Sequence, residues 1–509
     1  MDGRPSRRSK NIDFTSGPIV KQIIAFTIPA FLGNIFNALY NVVDTIVVGR
    51  FVGASALAAV SCSFAITMVC VSVYAGFGMG SGILTAQTFG AKRLDRLNDT
   101  VNTAYIGAFI IGTLMIIIGE ILAVPLLKLL NTPEDIMKMA TQYVRVYFLG
   151  STGQIFYFMG SNMLRGMGDS KWPTYALVFC AILNTLLDLL FVVVFHWDCA
   201  GVAAATIISQ MISGVAVLIR AYRGSYGIHF DRKTFRLNGS ILKQILKIGI
   251  PGSLQMLVSS IGTMILTRFA NGFGSDVVAA NGIVQKVEQF SLMPATSFGT
   301  ATQMFVGQNL GARNHERTNE GIRKCMAIIC IAAAVIGVIS FFLAQPLCRI
   351  FVKEETVIKL GAEAIHIIAF FYVIHALQLS MSSVLHGAGA MKPVMWFSFA
   401  AIAIRIGLCY LLGVLPDRWQ GLFWATNGFY IASVIMYAIY MWKGDWRNAI
   451  QIERKGPPQG APVMEDAPDR PEPPQGAPVM EDAPDRPEPP QGAPDMFDAP
   501  EMPEPPEEA

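Results

Sequence analysis

From residue 18 to residue 442 the chain runs through apolar stretches of about 20 or more residues, broken by short polar segments. As helices, stretches of that length match the hydrocarbon thickness of a bilayer. They predict about twelve membrane spans, at 18–49, 54–84, 96–123, 136–164, 172–195 and 200–221, then 241–271, 276–306, 317–344, 357–386, 392–413 and 422–442. The fourth and tenth are the least hydrophobic. One span breaks its own apolar pattern. Asn34, Asn37, Asn41 and Asp44 follow one another at helical spacings, so they share one face of span one, with Tyr40 beside them. An ionisable group at the centre of such a helix costs roughly 2.5–3.5 kcal/mol on insertion scales. The stripe reads as a polar pathway.

The breaks between spans carry the orientation. Arg4, Arg7, Arg8, Lys10 and Lys21 precede span one, and Lys92, Arg93 and Arg96 follow span two. Arg220, Arg223, Arg232, Lys233, Arg236 and Lys243 lie between spans six and seven, and Lys443 and Arg447 follow span twelve. The alternate breaks are poor in Lys and Arg, so the positive-inside rule predicts that both termini face the cytoplasm. The first apolar stretch is too long for a cleavable signal and lacks a small-residue cleavage pattern.

The halves repeat each other. Lys21-Gln22-Ile23 with Pro29 recurs as Lys243-Gln244-Ile245 with Pro251. Gln87, Gly90 and Ala91 recur as Gln308, Gly311 and Ala312, and Leu164, Gly166 and Gly168 as Leu385, Gly387 and Gly389. Six spans per repeat give a parallel repeat about an axis normal to the membrane, with substrate expected near the midplane between the halves. The expected fold is an all-α membrane protein of two pseudo-symmetric six-helix lobes. A basic segment at 1–17 leads into a first lobe at 18–222, a basic linker at 223–240 and a second lobe at 241–443.

Composition changes this picture at one end. The chain has 509 residues, is 53% hydrophobic and 15% charged, and has a net charge of +3. Residues 456–509, however, hold 14 acidic side chains against two arginines, in a 16-residue unit beginning at Gly460, Gly476 and Gly492. Residues 1–455 therefore carry a net +15. Proline and acid with almost no aliphatic content cannot bury a core, so the tail reads as an extended, disordered repeat. It could engage a cytoplasmic partner or the basic loops, or be a tolerated appendage. The eight cysteines are scattered through apolar segments, with no CxxC pair and no histidine at ligand spacing; they read as packing residues.

Span five supplies a second intramembrane acid. Asn184 and Asp188 lie one helical turn apart on one face. Apolar surroundings penalise the charged form of a carboxylate, which suits a group that loads and releases protons. The second half lacks these acids: the equivalents of Asp44, Asn184 and Asp188 are Leu266, Arg405 and Cys409. Its polar face holds Gln255, Ser259 and Thr263 in span seven, and Asn281, Gln285, Lys286 and Glu288 in span eight. Glu288 and Lys286 are two residues apart and do not face each other, which leaves Arg268 and Arg405 as partners from other spans. Both an ion pair holding spans together and a substrate-lining role remain open.

Several stretches together resemble the multidrug and toxic compound extrusion (MATE) family, along residues 15–445. They are Asn41-Val-Val-Asp44-Thr-Ile-Val-Val-Gly49 with Ala56-Leu-Ala-Ala-Val-Ser61, Leu164-Arg-Gly-Met-Gly-Asp169, Asn184-Thr-Leu-Leu-Asp188 and Phe305-Val-Gly-Gln-Asn-Leu-Gly-Ala312. The resemblance implies two six-helix lobes facing a central cavity, and export of small organic, often cationic, compounds against inward flow of protons or sodium. In the branch with a cation site in the first lobe, the coupling roles map onto Asp44, Asn184 and Asp188, with Thr206 and Tyr143 assisting. Sodium, if used, would sit at Asp44 and Asp188. The other branch uses acids in spans seven and ten. Here span seven has none, and span ten offers Glu363, His366 and His375.

The expected protein is thus a secondary-active antiporter of a bacterial inner membrane. It has no catalytic residues, no cofactor beyond the coupling ion, and no nucleic-acid partner. Asn34, Asn37, Tyr40, Asn41, Gln255, Asn281, Gln285, Lys286, Glu288 and Arg405 are its candidate substrate-lining residues. An alternative is a flippase for a lipid-linked anionic sugar, with Arg268, Lys286 and Arg405 as headgroup contacts. A membrane-embedded enzyme finds no support: there is no nucleophile–base arrangement, no HExxH and no metal cluster.

Overall fold

A computed structural model describes residues 12–224, 226, 228, 235–413 and 419–449. Within these, the side chains of Asn41, Asp44, Thr45, Ile46, Val48, Ala54, Leu57 and Gly413 lie outside the described set. So do the tail repeat and the arginines and lysine at 4, 7, 8 and 10. The first half comprises α1 (Ile19–Val47), α2 (Ala54–Gly90), α3 (Leu94–Leu129), α4 (Glu134–Leu149), α5 (Ser151–Gly166), α6 (Lys171–Asp188) and α7 (Asp198–Arg223). The second comprises α8 (Gly239–Asn271), α9 (Ser275–Gly311), α10 (His315–Phe342), α11 (Ala344–Arg349), α12 (Glu355–Ala369), α13 (Tyr372–Ala388), α14 (Met391–Gly413) and α15 (Gly421–Lys443). No strand occurs among the described residues.

Nine of these helices are long and apolar enough to cross a membrane, and α12 with α13, bent by 54°, makes a tenth. The twelve expected spans map onto that set plus α9 and the α4–α5 pair, which are more polar. The two weakest spans in the sequence are the two that the chain interrupts. Span four divides at Gly150 into α4 and α5, and span ten divides between Ala369 and Tyr372.

The repeat is written into the backbone as well as the side chains. Left-handed or otherwise positive φ angles recur in pairs: Gly53 and Gly274 at 113° and 95°, Lys92 and Arg313 at 55° and 58°, Gly168 and Gly389 at 81° and 80°. A non-glycine residue with positive φ is uncommon, so the Lys92–Arg313 pair marks the same turn built twice. Two apolar cores follow the halves, one centred on Tyr74, Tyr147 and Phe148, the other on Val287, Ile365 and Tyr372. A third joins α1 to the ends of α9, α10, α13 and α15 around Phe14, Phe26, Phe305 and Tyr437.

The halves close on each other at the end that carries this third core. Gln87 Nε2 on α2 donates to the Gly387 carbonyl at 3.1 Å, and its repeat partner Gln308 Nε2 on α9 donates to the Gly166 carbonyl at 2.8 Å. Between them α2 and α9 touch backbone to backbone. A Cβ on Gly90 would stand 1.9 Å from the Gln308 carbonyl oxygen, and one on Gly311 1.9 Å from that of Gln87. Only glycine permits this approach. The two-fold contact makes this end a closed seam.

A strap lies across the seam. The segment at 1–17 was expected as a basic lead-in, but its described part, 12–17, is a structural element. Ile12 N donates to the Gly168 carbonyl at 3.1 Å and Phe14 N to Gln308 Oε1 at 3.0 Å. The Phe14 carbonyl in turn accepts from Asn309 Nδ2 at 3.1 Å and Arg317 Nε at 2.9 Å. Phe14 is fully buried against Phe26 and Phe305. Beside it, Asp169 accepts from Arg220 Nη2 at 3.2 Å and from the Tyr226 hydroxyl at 2.6 Å, tying α6 and α7 to the start of the linker. Burial, reinforced by the Asp169 carboxylate, pushes the Tyr226 phenol well above its ordinary range.

The bundle's packing is complete by Trp446, which is buried in the third core. Cutting the chain after Lys455 is therefore expected to leave insertion and transport unchanged. A truncated protein that inserted normally but failed to transport would make the tail a regulatory element.

Candidate functional site

Asp188 is the last residue of α6, and residues Leu189–Val194 continue it as a π-helical turn. Span one does the same: α1 passes Asp44 and runs into a π-helical turn at Val48–Val52. Such turns concentrate at functional positions, and here each follows one of the two predicted carboxylates. Asn184 and Asp188 are 1% and 0% exposed. The Asn184 amide satisfies its neighbours with its nitrogen donating to Asp188 Oδ2 at 2.9 Å and its oxygen accepting from Thr206 N on α7 at 3.1 Å. Thr206 Oγ1 lies 3.4 Å from the Tyr40 hydroxyl on α1. The structure thus gathers Tyr40, Asn184, Asp188 and Thr206 where α1, α6 and α7 meet. Tyr143 lies on α4 stacked on Tyr147, with ring centroids 6.2 Å apart. The Asn41 and Asp44 side chains lie outside the described residues.

A second polar cluster surrounds a cavity of about 620 Å³ between the halves. Asn34 and Asn37 reach it from α1, and Asn281, Gln285 and Glu288 from α9; Arg405 reaches it from α14. Asn34 Nδ2 crosses to the second half and donates to Ser297 Oγ at 2.9 Å. Thr263 of the α8 polar stripe also lines the cavity. Three expected lining residues with described side chains do not: Tyr40 lies instead beside Thr206 at 3.4 Å, Gln255 donates to Ser398 Oγ at 3.1 Å, and Lys286 is exposed. The reason lies in helical geometry. Two residues along α9 turn the side chain by about 200°, so Lys286 faces away from the wall that carries Glu288. Arg268 is exposed too, so of the three basic residues assigned to the flippase alternative only Arg405 lines the cavity.

The partners of Glu288 are His375 and Tyr430, neither of which the sequence had singled out for this role. The Tyr430 hydroxyl donates to Glu288 Oε1 at 2.8 Å, and His375 Nδ1 stands 3.4 Å from the same oxygen. The His375 ring stacks on Tyr430 with centroids 3.8 Å apart and planes 16° from parallel. Arg405 Nη2 donates to Thr426 Oγ1 at 2.9 Å. His375 had a signal, as a titratable residue in span ten. Tyr430 had none, because it is one of three tyrosines in an apolar helix and looks like any interfacial aromatic.

Two pseudo-symmetric helical halves, closed at one end and holding a polar cavity at their junction, define a membrane transporter. The MatE family model matches residues 29–190 and 251–411, one segment in each half. The chain belongs to the MATE family of transporters and is not an enzyme. Probable multidrug resistance protein YpnP of Bacillus subtilis is 31% identical over 425 residues, covering 81% of this chain and 92% of that one. Probable multidrug resistance protein YoeA of the same organism is 27% identical over 433 residues, covering 82% and 93%. An FAD transporter of Shewanella oneidensis is 24% identical over 352 residues, covering 68% and 77%. A solved outward-facing multidrug resistance MATE transporter of the MOP superfamily shares the fold with a TM-score of 0.80 at 22% identity, over 87% of this chain and all of that one.

Proposed function

We propose that this transporter exports small organic, often cationic, compounds in exchange for protons or sodium ions. The observation that carries the reading is Asp188, a fully buried carboxylate held by Asn184 and joined through Thr206 to the polar stripe of α1. An acid so placed inside a membrane helix is a functional site by default. Asp44, Asn184 and Asp188 form the coupling site, assisted by Thr206 and Tyr143. The cavity below Asn34 and Asn37 holds the exported compound, with Glu288 as the carboxylate that meets its positive charge. Loading the first-half site with a proton or sodium ion neutralises it and favours release outward, while unloading toward the cytoplasm restores an attractive pocket. The names of the Bacillus relatives support multidrug export. The distribution of Lys and Arg supports a bacterial inner-membrane protein with both termini, and the closed seam, on the cytoplasmic side.

The test is efflux of a cationic dye from proteoliposomes with the pH and sodium gradients imposed separately. Export driven by one gradient and absent without either supports the reading; export that follows neither removes ion exchange. On the same assay Glu288→Gln is expected to change which compounds are exported while leaving gradient dependence intact. Tyr430→Phe, which deletes a hydrogen bond to a charged acceptor of about 1.5–3 kcal/mol, should shift the profile in the same direction. Loss of gradient dependence in either variant would place coupling in the second half.

A further inference from the structure

A second hollow, of about 470 Å³, lies outside the central cavity, where α3, α5 and α7 meet the end of the linker. Tyr105, Phe109, Phe156, Leu218, Tyr222 and Phe235 line it, five of these six being aromatic. Tyr105 packs edge-on against Phe156, and Tyr222 is fixed by its hydroxyl donating to Asn102 Oδ1 at 2.7 Å. These contacts hold Tyr105 and Tyr222 in the wall, and the mouth is open: Phe109 is 58% exposed and Phe235 38%. From the mouth, exposed apolar side chains continue along α3 through Leu114, Ile117 and Ile118, and along α7 through Val215. In a membrane protein those faces meet acyl chains, so the hollow opens onto the bilayer.

Its rim is basic. Arg223 follows Tyr222 in the chain, and Arg236 follows Phe235. Two acids at this end are already engaged, Asp95 by Arg93 at 3.9 Å and Asp169 by Arg220 at 3.2 Å. Arg223 and Arg236 are exposed and make no ion pair with any described residue. An aromatic-walled slot that opens on the exposed apolar faces of α3 and α7, with exposed Arg223 and Arg236 each one residue from a lining side chain, suits a lipid with an anionic headgroup. We propose that this hollow is a binding site for an anionic phospholipid, one acyl chain lying among Tyr105, Phe109, Phe156 and Phe235 and the phosphate meeting Arg223 and Arg236. A lipid so held braces Phe235, at the end of the linker, against α3 and α7.

The probe is native mass spectrometry of the full chain released from vesicles of phosphatidylglycerol mixed with phosphatidylcholine. One phosphatidylglycerol should stay bound in preference to phosphatidylcholine. The preference should fall by roughly thirtyfold in Arg223→Gln/Arg236→Gln, since each basic group near a membrane surface adds about a factor of five to six. Phe235→Ala should lose the bound lipid of either headgroup. The double arginine variant changes only exposed side chains and keeps the test valid if Phe235→Ala does not fold. Equal retention of both lipids, or a phosphatidylglycerol adduct unmoved by the arginine variant, overturns the proposal. So does displacement of the adduct by a lipophilic dye at equal concentration, which would make the hollow a drug site.

Discussion

Asp188→Asn is expected to reduce gradient-driven export to the level of protein-free vesicles while the protein still folds and inserts. Asparagine keeps the volume and hydrogen-bonding capacity of the fully buried side chain, so the contacts with Asn184 and the α6–α7 packing are retained. What disappears is the charge that must alternate between loaded and unloaded forms. The variant mimics the loaded state permanently, and Asp44→Asn should behave likewise. Matched protein levels and an imposed ion gradient make the measurement decisive. Normal gradient-driven export by both variants would dismiss the first-half site and transfer coupling to Glu288 and His375, the titratable pair in the central cavity.

Gly90→Leu is expected to force the closed seam open. Even a Cβ at this position would stand 1.9 Å from the Gln308 carbonyl oxygen, which is backbone and has no rotamer to escape into. Overpacking of this kind costs roughly 1–3 kcal/mol, enough to shift a two-state equilibrium by about 5- to 150-fold. Transport that alternates between two closures should then be held with this end open. Cys325, a native cysteine of α10 fully buried in the third core at this end, should become reactive to an aqueous thiol reagent by peptide mapping, and export should fall. Gly311→Leu, the repeat partner, should reproduce both effects. Unchanged reactivity with normal export would mean that the seam is not one of the two closures.

Both predictions rest on residues whose positions, though not whose contacts, were legible beforehand. Gln87 and Gln308 stood out in the sequence because a repeat preserves spacing along the chain. That spacing could not reveal that each amide caps a carbonyl of the opposite half, Gly387 for one and Gly166 for the other. Asn184 and Asp188 were legible because their partnership is a local one, a single helical turn. Glu288 was recognised as polar and out of place, but its partners come from α13 and α15 and have no sequence relation to it. Lys286 misled for the opposite reason: two residues from Glu288 along the chain, it points away from the cavity.

The amino-acid sequence by itself determined the membrane class, the placement of twelve spans, the internal repeat and the candidate acids of spans one and five. Each of these depends on local hydropathy, helical period or spacing, which the chain carries without folding. Tertiary structure decided which polar residues share a cavity, that residues 12–17 form a strap, and that Glu288 answers to His375 and Tyr430. These are contacts between helices distant in the chain, set by how ridged surfaces pack and by which face each helix turns inward. No periodicity along a single chain encodes that rotation.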